Sequence, residues 1–62
     1  MKSYEESWEF AQGQARSTCE GKDREWLLRT QEHYRAYCEG RIVTNAVAAM
    51  LEELHRRLEE QP

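Results

Sequence analysis

Apart from Pro62 this chain contains no proline, and its three glycines stand alone at 13, 21 and 40. Proline is the strongest breaker of a helix and glycine the next, so the chain is divided only where those glycines fall. No segment alternates apolar and polar residues over the length of a strand, and no Asn-Gly or Asp-Gly pair offers a hairpin turn. Apolar residues recur instead at helical spacing, three times over.

The first helix is expected over residues 4–20. Ser3-Tyr4-Glu5-Glu6 fits a capping box, in which the serine accepts from free N–H groups and Glu6 reaches back. Tyr4, Trp8, Ala11, Ala15 and Cys19 fall within about 80° of one another at roughly 100° per residue. Gly13 lies nearly opposite, and Gly21 ends the helix in the left-handed conformation. The second helix, 24–39, takes Asp23 as N-cap and carries Trp26, Leu27, Thr30, Tyr34, Tyr37 and Cys38 on one broad face before Gly40. The third, 44–60, takes Thr44 as N-cap or starts a few residues earlier, and has the cleanest apolar seam: Val47, Met50, Leu51, Leu54 and Leu58. Short connections favour antiparallel neighbours. The expected fold class is therefore all-α, a small antiparallel three-helix arrangement making one helical domain over 1–62. A chain of 62 residues has a thin core, so the arrangement either stands alone or is completed by dimerisation through Val47, Leu51, Leu54 and Leu58.

Cys19-Glu20-Gly21-Lys22 is echoed nineteen residues later by Cys38-Glu39-Gly40-Arg41. If each cysteine ends a helix of an antiparallel pair, the rise from residue 23 to 38 separates them by on the order of 22 Å. A disulfide needs its Cα atoms within about 7 Å, so an intrachain bridge is not expected. Zinc would need His33 and His55 as well, yet no Cys-x-x-Cys or His-x-x-x-His pair occurs. His33 and Cys38 are turned about 140° from each other on one helix. The echo reads as helix punctuation used twice. No metal and no cofactor is expected.

Charge narrows the function classes. The chain is 34% charged with a net charge of −3, and the acid excess lies at its two ends. Residues 1–13 and 42–62 each carry a net −2, while 14–41 hold six bases against five acids. A nucleic-acid binder concentrates positive charge instead, so direct nucleic-acid binding is disfavoured. The third helix is leucine-rich and acidic outside, unlike the polar recognition helix of a helix–turn–helix protein. No apolar run approaches the roughly 18 residues of a membrane span, and "MKSYEESWEF" lacks signal-peptide chemistry. A cytoplasmic protein of a bacterial or host cell, without membrane contact, is the expectation. Catalytic residues are not expected either, because the glutamate pairs 5/6, 52/53 and 59/60 diverge on a helix and read as a solvated face.

Phe10, Leu28, Ile42 and Val43 fall off the apolar stripes, which points to contact with another protein. The function expected is that of a small non-enzymatic protein-binding regulator or inhibitor. Phages and mobile elements encode proteins of this size and acidity, anti-CRISPR proteins among them, that block a nucleic-acid-binding partner with an acidic surface; the likeness is of size and class, and no family motif is present. The residues expected to meet such a partner are Glu5, Glu6, Glu9, Trp8, Phe10, Leu28, Glu52, Glu53, Glu59 and Glu60. Two alternatives stand beside it: a dimerising accessory subunit of a bacterial complex, and a three-helix DNA-binding protein.

Overall fold

The computed structural model of the chain describes residues 4–60, and side chains from Ser7 onward. Over that span it is all-helical, with α1 at Tyr4–Cys19, α2 at Arg24–Cys38 and α3 at Asn45–Glu60. The Ser3 cap and the Glu6 side chain expected to complete it lie outside the described residues, as do the side chains of Tyr4 and Glu5.

The helices begin where polar side chains occupy the first free N–H groups. Asp23 has extended backbone, and its carboxylate accepts from the Trp26 N–H at 2.8 Å. The Thr44 hydroxyl accepts a longer bond, 3.4 Å, from the Val47 N–H. The two Cys-Glu-Gly segments end α1 and α2 in the same way. Gly21 and Gly40 both have φ of 71°, a region that side chains with a Cβ rarely enter. Beyond each glycine the N–H of the base turns back to the cysteine carbonyl: Lys22 to Cys19 at 3.3 Å, Arg41 to Cys38 at 3.1 Å. Each base also lies over an aromatic ring of α2. The Lys22 ammonium is 5.3 Å from the centre of Trp26, and the Arg41 guanidinium 4.8 Å from that of Tyr37.

Helix α3 organises the packing. Both α1 and α2 lie against it, and they barely touch each other. The result is a flattened molecule, 39 × 27 × 15 Å. Its radius of gyration is 12.0 Å, against about 10.6 Å for a compact chain of this length. The buried residues are Ala11, Ala15 and Cys19 of α1, Leu27 of α2, and Ala49, Met50 and Leu54 of α3, with Trp8, Trp26, Tyr34 and Leu58 packed around them. The buried residues of α1 are all small, whereas α2 buries Leu27, and both helices add a tryptophan at the margin of the core.

Three placements differ from the sequence reading. Tyr37 is 48% exposed and lies off the core face of α2. It is turned about 80° from Leu27, whereas Tyr34 lies within about 20° of it and the half-buried Gln31 about 40° away on the opposite side. Glu53 does not belong to a solvated face, because it is only 7% exposed. It follows Ala49 by one turn and so shares that residue's inward side. Leu54 is fully buried within the chain's own core, where no second molecule reaches it.

Candidate interaction surface

The residues singled out from the sequence separate into two sets. The first lies where the C-terminal end of α1 meets the last turns of α3, and its surface is closed by charge. Arg57 donates from Nε to the Glu53 carboxylate at 2.6 Å, from Nη1 to the Cys19 carbonyl at 3.2 Å, and from Nη2 to the Glu20 carboxylate at 3.3 Å. A cation there meets the negative end of the α1 dipole, and shares the Cys19 carbonyl with the Lys22 N–H. Arg56 donates to the same Glu53 oxygen and to Glu60 at 3.0 Å. Glu20 and Arg57 are 37 residues apart, so helical periodicity gave no signal for this tie. Burial alone would push the Glu53 carboxyl up, but the hydrogen bonds and charges of Arg57 and Arg56 outweigh it and hold the group below its ordinary value.

Cys19 belongs to the same region. Its side chain is fully buried, and burial pushes the thiol up despite the opposing charge of Arg57. Such a thiol stays protonated and out of reach, which is the chemistry of a packing residue and not of a nucleophile. Beside it, Gln12, Arg16, Ala49, Glu52, Glu53 and Arg56 line an open notch of about 470 Å³ between α1 and α3. Ligand sites of that size are mostly apolar and enclosing. This one is polar and open, and Arg56 and Glu53 in its wall already satisfy each other. Among the described residues, no three His, Cys, Asp or Glu side chains converge as a metal would require.

The second set comprises exposed apolar side chains on separate elements. Phe10 on α1 and Leu28 on α2 are 58% and 43% exposed. In the connection from α2 to α3, Ile42 is 93% exposed and Val43 nearly half, and Tyr37 stands with Arg41 at the adjoining end of α2. Of the seam residues expected to associate, Val47 and Leu51 are half-buried, and Leu58 packs on the core that contains Leu54.

The acidic residues are similarly divided. Glu9 and Glu52 are exposed, while Glu59 and Glu60 each pair along α3, with His55 at 2.9 Å and Arg56 at 3.0 Å. Pairs this exposed are worth well under about 1 kcal/mol, so these carboxylates remain available to water and to partners. Trp8 is half-buried against the core. The features missed in the sequence are the exposure of Tyr37, the burial of Glu53 and the tie through Arg57. No helix among the described residues is long and apolar enough to cross a membrane. Compared with models of protein families, with curated proteins and with solved structures, the chain has no match.

Proposed function

We propose that this chain is a non-enzymatic protein-binding module, a small regulator or inhibitor of the kind encoded by phages and mobile elements, working stoichiometrically in the cytoplasm. One observation carries the reading. Among the described residues five large apolar side chains are exposed (Phe10, Leu28, Tyr37, Ile42 and Val43), against three buried ones, Leu27, Met50 and Leu54. Single exposed apolars are ordinary on any surface. A preponderance of them, on a chain with so small a core, favours surfaces that another protein covers. Within this reading Glu9, Glu52, Glu59 and Glu60 form the acidic part that would oppose a basic, nucleic-acid-binding groove, in the manner of an anti-CRISPR-like charge mimic. Glu53 has no part in it, being occupied by Arg56 and Arg57.

The test is affinity capture from bacterial lysate with the wild-type chain beside two variants, Phe10→Ser/Leu28→Ser and Glu9→Lys/Glu52→Lys/Glu59→Lys. A protein held by the wild type and lost from both variants, whose helical circular dichroism is unchanged, is the expected result. A protein lost only from the first would leave binding without the acidic mimicry. Equal capture by all three would overturn the reading, and a shift of duplex DNA at low salt by the wild type would favour the DNA-binding alternative.

A further inference from the structure

The chain holds nine lysines and arginines. Among the described residues only Lys22 and Arg41 stand outside a helix, one in each connection. A base-specific serine protease takes a base into a charged pocket and needs the chain around it drawn out of its fold. Exposed connections permit that and helices resist it. The two connections differ in how firmly they are held. At residues 20–23 the Lys22 N–H returns to Cys19, and Asp23 accepts the Trp26 N–H on its carboxylate and the Leu27 N–H on its carbonyl. Drawing out the Lys22–Asp23 bond would undo the start of α2. At residues 39–44 the Arg41 N–H returns to Cys38, and Thr44 belongs to the start of α3. Between them, among the described residues, no hydrogen bond holds the backbone of Ile42 or Val43, and Ile42 is almost wholly exposed.

We infer that the Arg41–Ile42 peptide bond is the site at which a base-specific endoprotease cuts the folded chain, and that this single cut unfolds it. Water adds across the bond: the carbon–nitrogen bond breaks, the carbonyl becomes a carboxylate on Arg41, and the nitrogen leaves as an ammonium on Ile42. To enter the protease Arg41 must leave the ring of Tyr37, a weak tie at so exposed a position. Both new charges have the wrong sign for the helix ends beside them. The carboxylate lies near the negative end of α2 and the ammonium near the positive end of α3. The cut also frees α3 from the two helices that lean on it. Contacts made within one chain then become contacts between two fragments, at a far lower effective concentration. Fragment 1–41 keeps none of Ala49, Met50 and Leu54. The site is a property of the free chain and does not depend on what the chain binds.

The test is brief digestion of the purified 62-residue chain with dilute trypsin at neutral pH, followed by intact-mass spectrometry and circular dichroism. Within residues 4–60 the first products are expected to end at Arg41 and begin at Ile42, and the helical signal should fall as they appear. Arg41→Gln, which removes the base, should slow loss of the intact chain at least about tenfold, while Arg41→Lys should still be cut at the same bond. A first cut at Lys22 or at any helical base overturns the assignment, as does an Arg41→Gln chain lost as fast as the wild type. A cut chain that keeps its full helical signal overturns the unfolding. Should Arg41→Gln itself lose helix, Ile42→Pro replaces it. That change removes no backbone hydrogen bond and its ring blocks hydrolysis of the bond before it, so the same outcomes decide.

Discussion

Two helices of this molecule end on the same four-residue pattern and have different surroundings. At Cys19-Glu20-Gly21-Lys22 and at Cys38-Glu39-Gly40-Arg41 the backbone makes the same turn, with the same glycine φ and the same return bond to the cysteine carbonyl. Only the first is closed over. There Cys19 is fully buried, and its carbonyl takes a hydrogen bond from Arg57 that ties α1 to α3. At the second Cys38 is half-buried, and Ile42 and Val43 follow it into solvent. Local sequence therefore sets how each helix ends, and tertiary contact decides whether that end becomes core or surface.

The largest expected effect separates the two ends by packing. Cys19→Leu forces a bigger side chain between α1 and α3 and should cost about 2–3 kcal/mol. Cys38→Leu, at a half-buried position, should cost less than about 1 kcal/mol. Urea unfolding of both variants measures the gap, and equal costs would dissolve the distinction between a closed and an open end.

A smaller effect belongs to the closed end alone. Glu53→Gln weakens the tie to Arg56 and Arg57 and should cost about 1–2 kcal/mol at neutral pH. The folded-state pKa of Glu53 is depressed, so its stabilisation is complete above the unfolded-state value of about 4.3 and is lost as pH falls through the lower folded value. The stability difference between wild type and Glu53→Gln should accordingly be flat above that pH and shrink in acid. A difference that grows in acid would contradict the pairing.

The smallest effects should be equal at the two ends. Gly21→Ala and Gly40→Ala each place a Cβ where φ is positive, and in each case that Cβ meets open space. The cost is then backbone strain alone, about 1 kcal/mol, and thermal melts should show the two variants alike. A clear inequality would mean that tertiary contact reaches into the turns themselves.

The same division explains what could be read in advance. Helix ends at Asp23, Thr44, Gly21 and Gly40 are local signals, carried by one residue and its near neighbours, and they were legible. The apolar stripes were legible wherever a residue lay near the centre of its face, as Leu27, Ala15 and Leu54 do. At the margins the stripe did not decide: Trp26, about 100° from Leu27, packs on the core, while Tyr37, about 80° away, is exposed. Glu53 was misjudged by its neighbour Glu52, when its environment is set by Ala49 and Met50 one turn before it and by Arg57 one turn beyond. That α1 and α2 both lean on α3 could not be read at all, because a stripe does not say which other stripe it meets.

That last arrangement governs the order in which structure can form. Because α1 and α2 barely touch, a chain leaving the ribosome N-terminus first has nothing for either helix to pack on until α3 has followed them. A product stopped anywhere before Asn45 lacks Ala49, Met50 and Leu54 and therefore most of the buried surface of both its helices. Truncated copies of this protein should be unfolded and quickly degraded. Folding waits for α3.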